Sequence, residues 1–557
     1  MRTSLLFIAA IGCSGASPTP APPPPPPPPA PDTAIDAPPA PPSVARGGSC
    51  DAERACTGSL VCLQAPGGYC ASTCGATGTA CDGTCVATAR DGELCMQSCA
   101  RDADCRADEG YLCDPQWRAC IVPNSATLVV NRCPAPAGPA RDLAFAQSTQ
   151  LSTAATPGLY QLDPAAVVMP TGAVVALFGS RGVLGASHGL GLARVGTAAT
   201  VIDGAFVPPV GEAAADGMPV AGGRIDPALA RDAKGTLYAA WLAAGDETGS
   251  RVLLARSTDA GATWSKAMPV SAAGDCTGDR DCPGRPILAI GGGPGAKGTQ
   301  ILYVIYGAAG GLRVRASRDG GASLSPPVTA LEGAHADASV GHDGRLHLVA
   351  LAAGPSTGGF GSAGHRIAYA VSADGGRSFT RPQRLGGRDD MLPFYFATPS
   401  IAIDSKRKWI YVAYVRGGRD AVWDLIVLAS KDNGATWKRT RIGDTPGCAI
   451  HMVPNLVVDP TTGALHLAWY DGLGTGRFAH ARCAPGLASC TQLGAINDRP
   501  FPALTTARNA PAWIGERANL AIDDKRRTLH AVWTQPISEG GMTTSRIFHA
   551  AAKLPRR

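Results

Sequence analysis

The Gly-rich segments beyond residue 240 contain several carboxylates and aromatic rings, two arginines and one histidine that could contact a ligand. Carboxylate oxygens accept hydrogen bonds from sugar hydroxyls, and an aromatic ring packs against the apolar face of a sugar. These residue types predict a face that binds a glycan or a protein. The candidates are Asp246, Glu247, Asp389, Asp390, Tyr395, Arg419, Asp420, Trp423, His451, Asp471, Glu516 and Arg517. The alternative for each residue taken alone is a solvated loop position without a ligand.

The elements that must position these residues repeat along the chain. Each unit has an apolar strand, a Gly/Asp turn and a second apolar strand. Short strands with evenly spaced turns are typical of a β-propeller built from four-stranded blades. The sequence therefore predicts an all-β fold over 124–557, with seven blades favoured and six as the alternative. The seven units are 163–179, 226–244, 285–307, 337–353, 399–416, 454–471 and 517–535.

Four turns share the pattern S-x-D-x-G-x-T/S followed by a large apolar residue, with their aspartates at Asp259, Asp319, Asp374 and Asp432. The spacings of 60, 55 and 58 residues make chance a poor explanation. We expect each carboxylate to accept bonds from turn backbone N–H groups, so these aspartates are structural and not catalytic. The pattern resembles the Asp box of sialidases and many other propellers.

The Asp-box turns join third strands to fourth strands, so the longer loops gather at the opposite face, where a ligand site is expected. The last unit runs out after its third strand, 546–553. Residues 142–151 are predicted to supply the missing fourth strand and close the ring.

The last two units extend the resemblance over about residues 140–555. Two stretches resemble repeats of bacterial exported sialidase-like BNR proteins: residues 513–523 together with Ala531-Val532-Trp533-Thr534, and residues 455–471. The resemblance implies that a sialidase would grip the substrate carboxylate with three arginines and use a Tyr nucleophile activated by Glu, together with an Asp acid/base. The positions it implies are Arg224, Arg285, Arg517 and Glu516.

This chain departs from the family at both arginine-bearing motifs. Gly223-Arg224-Ile225-Asp226-Pro227 is a distorted F/Y-R-I-P motif, and Glu516-Arg517 replaces the Asp-Tyr common in the family. No Tyr/Glu pair is assignable. A non-catalytic binding propeller is therefore favoured, with an exo-sialidase-type glycoside hydrolase and a purely structural or assembly protein as alternatives.

Nineteen cysteines in an exported chain predict disulfides. Twelve fall between Cys50 and Cys120 and define a cysteine-rich module over 49–123, whose connectivity the spacing leaves open. The local pairs Cys276/Cys282 and Cys483/Cys490 are predicted to bond, and Cys133 and Cys448 remain as partners for each other. No metal site is predicted, because C-x2-C pairs are lacking.

The N-terminus predicts export. Arg2 precedes an apolar run, and Ala10-Ile11-Gly12-Cys13 resembles a lipobox, so residues 1–12 are expected to be a signal peptide and Cys13 the lipidated residue. The alternative is a plain secreted protein with a free Cys13. Residues 13–48 are predicted to be a disordered Pro-rich linker, extended around Pro22–Pro29. The expected location is the bacterial cell envelope, at the outer membrane or cell surface.

Charge and hydropathy limit the partners. Fifty Lys and Arg against 44 Asp and Glu leave a mild excess, without the basic runs and interleaved aromatics of a nucleic-acid surface. No later run reaches the ~18 apolar residues of a membrane span, so the lipid is the only membrane attachment expected. No cofactor is predicted.

Overall fold

A computed structural model describes residues 43–51, 53–63, 67–74, 80–87, 93–109, 111–113, 118–121, 143–152, 160–181, 187–196, 201–206, 226–243, 251–272, 275, 284–294, 299–352, 366–387, 398–417, 423–442, 451–471, 476–499, 501, 514–539 and 542–555. The predicted signal peptide, Cys13 and the linker up to Pro42 lie outside these residues, as do Cys133, Cys276, Cys282 and Cys448. No helix in the described part is long and apolar enough to cross a membrane.

The cysteine-rich segment contains short strands and two 3-10 helices. Its four-stranded sheet has the order β1-β2-β4-β3, and β5 pairs with β6. Val44 bridges to Cys56, and Gly47 N donates to Cys70 O at 2.9 Å. The folded segment therefore includes residues assigned to the linker, which corrects its boundary. The elements are β1 (Val61–Leu63), β2 (Tyr69–Thr73), β3 (Thr84–Ala87), β4 (Glu93–Met96), the helices Asp102–Asp104 and Ala107–Glu109, β5 (Leu112–Cys113) and β6 (Cys120–Ile121).

Six disulfides give this segment a threefold repeat. In each set of four cysteines the first bonds to the third and the second to the fourth, so the middle set follows the same rule as the two outer ones. Few large apolar side chains are buried here, so cross-linking replaces most of a core. The bonds are Cys50–Cys62, Cys56–Cys70, Cys74–Cys85, Cys81–Cys95, Cys99–Cys113 and Cys105–Cys120.

The rest of the described chain is all-β. It forms five four-stranded antiparallel sheets and one eight-stranded sheet. The first two strands of each group are the hairpins predicted from the seven sequence units. The strands are β7 (Thr149–Gln150), β8 (Tyr160–Val168), β9 (Val174–Arg181), β10 (Ser187–Val195), β11 (Val201–Phe206), β12 (Ala228–Arg231), β13 (Leu237–Ala243), β14 (Arg251–Ser257), β15 (Met268–Pro269), β16 (Ile287–Gly292), β17 (Gln300–Ala308), β18 (Gly311–Ser317), β19 (Val328–Leu331), β20 (Ala334–Val340), β21 (Leu346–Ala352), β22 (Arg366–Ser372), β23 (Gln383–Leu385), β24 (Ser400–Asp404), β25 (Trp409–Gly417), β26 (Trp423–Ser430), β27 (Lys438–Ile442), β28 (His451–Val458), β29 (Leu465–Asp471), β30 (Arg477–Cys483), β31 (Cys490–Ala495), β32 (Asn519–Asp523), β33 (Thr528–Glu539) and β34 (Met542–Lys553), with a 3-10 turn at Pro485–Leu487.

The eight-stranded sheet consists of two four-stranded groups joined by one parallel pair, Ser545 with Tyr160. One group is β8 to β11. The other is β32, β33 and β34 completed by β7, whose Thr149 and Gln150 pair antiparallel with His549 and Phe548. The prediction that residues 142–151 supply the last group's fourth strand is therefore confirmed, because β7 lies within them.

The seven first strands contact one another in a cycle: β8, β12, β16, β20, β24, β28, β32 and back to β8. Seven hydrophobic clusters lie between successive groups in the same cyclic order. Second strands are buried on both faces, which explains apolar runs such as Leu237–Ala243. Burial between sheets is the main source of the stability of this part.

The Asp-box turns have the expected bonds. Asp259 Oδ1 accepts from Thr263 N at 2.9 Å, and Asp432 Oδ1 accepts from Thr436 N at 2.9 Å. Hydrogen bonds from the Thr263 hydroxyl and backbone N–H lower the pKa of Asp259 to about 2, and those from Thr436 do the same for Asp432. Asp319 and Asp374 bond in the same way. These turns lie at the ends of the third strands, opposite to where the first strands begin.

Candidate functional site

The starts of the seven first strands enclose a cavity of about 150 Å³. Five of the strands carry a proline there: Pro164, Pro227, Pro286, Pro399 and Pro454. Proline lacks an N–H group, which suits the first position of a strand or, as at Pro164 and Pro454, a bulge within a strand. One wall residue comes from each first strand at equivalent positions: Ala165, Ala228, Ile287, Asp337, Ser400, Asn455 and Asn519.

Local backbone distortions direct polar groups toward this region. The pairing of β8 with β9 and of β20 with β21 is interrupted by bulges, where Asp163 and His335 adopt φ values of 56° and 46°. Gly515 has φ 76°, and a Cβ there would lie 2.6 Å from Asp163 Oδ1. Because Gly515 leaves that space open, Glu516 N donates to Asp163 Oδ1 at 2.6 Å.

Arg285 lies at the centre of a buried charge cluster beside the cavity. Its Nη2 is 2.7 Å from Glu516 Oε2, 3.6 Å from Asp226 Oδ1 and 3.9 Å from Asp163 Oδ1. Burial disfavours the charged guanidinium, but the carboxylates of Glu516, Asp226 and Asp163 raise the pKa of Arg285 above its ordinary value. Three carboxylates therefore hold this arginine charged.

Two further side chains join the cluster. His335 Nδ1 lies 3.3 Å from Glu516 Oε2. Arg517 donates from Nη1 to Pro227 O at 2.8 Å and from Nη2 to Pro286 O at 2.9 Å, so it connects the first strands of two other sheets. Burial, and then the positive charge of Arg285, lower the pKa of Arg517 to about 10. Both guanidinium groups are thus engaged by groups of this chain.

The polar wall residues form a ladder between neighbouring sheets. Asp337 Oδ2 accepts from Ile401 N at 2.9 Å, Ser400 Oγ from Leu456 N at 3.2 Å, and Asn455 Oδ1 from Leu520 N at 2.7 Å. In each case the donor is one residue beyond the wall residue of the next sheet. This repeated bond explains why small polar residues occupy the position in successive sheets.

Burial raises the pKa of Asp337, although its backbone hydrogen bonds act in the opposite direction.

His451 and Asp471, predicted to be on the ligand face, come together but are buried, at 3% and 0% exposure. His451 Nδ1 lies 2.5 Å from Asp471 Oδ1, and Arg477 Nε donates to Asp471 Oδ2 at 2.8 Å. Trp469 Nε1 donates to the same carboxylate. The strand register explains the contact, because Asp471 pairs with His451 on one side and with Arg477 on the other. This network links β28, β29 and β30, so neither residue is a solvated loop position.

The other predicted site residues separate into three sets. Arg285, Arg517 and Glu516 meet at the cavity. Trp423 begins β26 and pairs with Gly417, but its side chain is outside the described part. Wholly outside the described residues are Arg224, Asp246, Glu247, Asp389, Asp390, Tyr395, Arg419 and Asp420.

Sequence reasoning missed several residues of the cavity and its charge cluster. The missed residues at or beside the cavity are Asp163, Asp226, His335, Asp337, Thr398, Asn455 and Asn519. The signal was present: aligning the seven units on the start of each first strand places a polar residue there in nearly every unit. Three of the units begin with an aspartate, namely Asp163, Asp226 and Asp337.

No protein-family model matches this chain, and no curated protein matches it in sequence. Similar solved structures include a protein of unknown function from Dyadobacter fermentans, with TM-score 0.45, 12% identity, and coverage of 74% of this chain and 100% of that one. The NanB sialidase of Streptococcus pneumoniae gives TM-score 0.40 and 12% identity over 62% and 68% of the two chains. An alpha-L-arabinanase of Penicillium chrysogenum gives 0.39 and 13% over 73% and 98%.

Proposed function

We propose that this chain is an exported lipoprotein whose seven-bladed β-propeller binds an extracellular glycan or protein at the cavity face without hydrolysing it. The blade number is supported by the seven four-stranded groups, by the cyclic contacts among their first strands, and by the N-terminal strand β7 that completes the last group. Ring closure by a strand from the other end of the chain protects sheet edges and is a known solution in propellers.

The observation that carries the non-catalytic assignment is the pairing of Arg285. Its guanidinium has Glu516 at 2.7 Å and two more carboxylates within 4 Å, all buried. An arginine grips a substrate carboxylate through paired charge-assisted bonds, which require donors directed into the site. Displacing Glu516 would leave a buried carboxylate without its partner, at a cost of several kcal/mol. The cluster is therefore suited to support the cavity wall and not to bind an anionic sugar.

Export and anchoring are supported by the N-terminal sequence and by the disulfides. The lipobox-like Ala10-Ile11-Gly12-Cys13 precedes a Pro-rich spacer. Six disulfides in the cysteine-rich segment, together with Cys483–Cys490, fit an oxidising compartment.

A sialidase-type glycoside hydrolase is the second candidate, and one observation favours it. Arg285, Arg517 and Glu516 come together beside the cavity, as the family resemblance implied. Hydrolysis would also require a nucleophile and a proton donor on either side of the glycosidic bond. No tyrosine is among the described residues that line the cavity.

A binding experiment tests the proposal. Detergent-extracted full-length protein is applied to a glycan array and used in pull-downs from envelope extracts, beside two variants. Leu229→Trp adds bulk to the cavity wall and should abolish binding, whereas Asp432→Ala, at the Asp-box end of its sheet, should preserve it. Retention of binding by a folded Leu229→Trp protein, or the absence of any ligand, would contradict the assignment of the site.

A further inference from the structure

Two turns at the Asp-box end of the propeller share a basic pattern. Both have the sequence Asp-x-Lys-Arg-Lys/Arg, at 404–408 between β24 and β25 and at 523–527 between β32 and β33. In each turn the first aspartate accepts a backbone N–H group with one oxygen, and its second oxygen lies 3.2 or 3.0 Å from the arginine of the same turn. The arginine therefore balances the charge of that aspartate, which leaves the other basic side chains of the turn in excess.

Hydrogen bonds connect both turns to the turn that lies between them in the ring. Arg407 Nη2 donates to Thr461 O at 2.9 Å, and Thr461 Oγ1 donates to Asp524 Oδ1 at 2.7 Å. Arg527 donates to Asp459 from Nη1 and from Nη2, at 2.6 Å each. The three turns thus form one connected surface, which we call the basic ridge: 404–408, 459–463 and 523–527.

The basic ridge presents ammonium groups to the solvent. Lys406, Lys408 and Lys525 are exposed, and none of their ammonium groups has a bonding partner among the described residues. The aspartates that begin the three turns are all buried, by contrast. The outward charge of the ridge is therefore mainly positive, and an anionic partner is the complementary one.

One of these lysines occupies a backbone conformation that disfavours it. Lys408 has φ 61° and Arg527 has φ 49°, whereas the corresponding position of four other turns holds a glycine: Gly172, Gly235, Gly344 and Gly463. A side chain with a Cβ is disfavoured in this left-handed region, and glycine is not. The bonds to Asp459 account for Arg527, but Lys408 has no described partner. A lysine at a position that suits glycine points to a role outside folding.

The N-terminal part of the chain joins the propeller at the same face. Phe145 bridges to Ala552 near the end of β34, and Leu554 N donates to Arg527 O at 2.8 Å. The first described residues of the propeller therefore lie beside the basic ridge. The segment that comes from the proposed lipidated Cys13 enters the propeller here and not at the cavity face.

We propose that the basic ridge docks the propeller onto an anionic membrane surface, through the phosphate groups of lipid headgroups. The inference goes beyond ligand binding at the cavity and takes its membrane from the proposed lipoprotein anchor. A lipid chain combined with a basic patch holds a protein at a membrane more firmly than either alone. A membrane fits better than a nucleic acid, because the ridge contains no aromatic residue on which a base could stack. Docking in this way leaves the cavity, at the opposite face, open to a ligand.

Co-sedimentation with vesicles tests this on the full-length Cys13→Ser protein, which has no lipid anchor of its own. One set of vesicles contains phosphatidylcholine alone, and the other contains phosphatidylcholine and phosphatidylglycerol in equal amounts. The protein should bind only the vesicles with phosphatidylglycerol. Raising the NaCl concentration from about 0.05 M to about 0.5 M should weaken this binding at least tenfold, because salt screens exposed charges.

Substitutions in the ridge measure its contribution. Each basic residue near an anionic surface strengthens binding about fivefold, so Lys406→Gln/Lys408→Gln/Lys525→Gln should bind roughly a hundredfold more weakly. The fold should be preserved because these side chains are exposed. Lys408→Gly alone should weaken binding about fivefold without lowering the melting temperature, since glycine adopts a positive φ readily.

A matched control removes the same charge from the other end of the sheets. Arg251 and Arg366 begin the third strands β14 and β22, and Arg384 pairs with Ala368 near the start of β22. The triple variant with glutamine at these three arginines should bind the phosphatidylglycerol vesicles as tightly as its Cys13→Ser parent does.

Three results would overturn the inference: equal binding to both kinds of vesicle, equal loss of binding in the two triple variants, or tighter binding to a DNA duplex than to the phosphatidylglycerol vesicles. Anchoring of the wild type through Cys13 and ligand binding at the cavity do not depend on the ridge. Either can hold when the vesicle experiment fails, so the failure of this inference and that of the proposed function are distinguishable.

Discussion

Two stacked pairs of buried histidines should make the last two four-stranded groups, β28 to β31 and β32 to β34 with β7, sensitive to acid. His466 Nδ1 lies 3.2 Å from His480 Nε2, and His530 Nδ1 lies 3.0 Å from His549 Nε2. The N-terminal segment contacts both pairs: Phe145 packs edge-on against His480, and Thr149 pairs with His549. Protonating a pair would place two like charges in contact at a buried position.

Burial lowers the pKa of His466 and His530 to about 4 and that of His549 to about 3, while the pKa of His480 lies well below its ordinary value. Nearby Asp459 and Asp523 act in the opposite direction and raise the pKa of His466 and His530, whereas Arg482 and Lys553 lower it further. Because the folded pKa values lie below 6.5, the unfolded chain binds more protons between pH 6.5 and about 4. Stability is therefore fully present above pH 6.5 and decreases as the pH falls toward 4.

The expected magnitude follows from the proton linkage. Each proton taken up only on unfolding changes the free energy of unfolding by about 1.4 kcal/mol per pH unit. Between pH 6.5 and 4.5 each histidine that stays neutral in the fold therefore costs about 3 kcal/mol of stability. The Asp-box carboxylates do not obscure this range, because Asp259 and Asp432 lose their contribution only below pH 3.8, as the pH falls toward 2.

Urea unfolding at pH 7.0, 6.0, 5.0 and 4.5 measures the effect. The double variant His530→Leu/His549→Leu should have a markedly smaller pH dependence than the wild type, whereas His342→Gln, at an exposed position, should keep it. A wild type equally stable at pH 7.0 and 4.5, or a double variant with the unchanged pH dependence, would show that these histidines do not control the acid stability of the fold.

Three further predictions concern the anchor, the disulfides and the Asp boxes. Cys13→Ser should move the protein from the membrane fraction to the soluble fraction, and a wild type that is already soluble would contradict lipidation. Mass mapping of the non-reduced protein should find Cys483 bonded to Cys490, as in the structure. It should also find Cys276 bonded to Cys282, a pair that lies outside the described residues. Free thiols at Cys276 and Cys282 would refute that second bond. Asp432→Ala should lower the melting temperature, because it removes the hydrogen bonds from Ser430 and Thr436. The same variant should change ligand affinity less than twofold. A large loss of binding at an unchanged melting temperature would instead place the ligand site on the Asp-box face.

Local features of this fold were predictable because they depend on residues close in sequence. The Asp259 turn closes through bonds that span at most four residues, as the S-x-D-x-G-x-T/S pattern predicts. Cys483–Cys490 was confirmed for the same reason, since its cysteines pair directly across β30 and β31.

The charge cluster was less predictable because its partners are distant in sequence. Arg285 and Glu516 are 231 residues apart, and Asp163 and Glu516 are 353 apart, so only closure of the whole ring brings them together. The burial of His451 and Asp471 was missed for a related reason: it depends on the register of β28, β29 and β30, which composition does not specify.

Three buried carboxylates of this chain surround Arg285, and we propose that the cavity therefore binds a ligand without cutting it. Hydrolysis of a fluorogenic sialoside by the purified full-length protein tests this most directly, beside Arg285→Lys in a preparation whose melting temperature shows that it is folded. We predict no turnover above the uncatalysed rate by either protein. Turnover by the wild type that is lost in the folded Arg285→Lys variant would contradict the non-catalytic assignment and place this protein among the hydrolases.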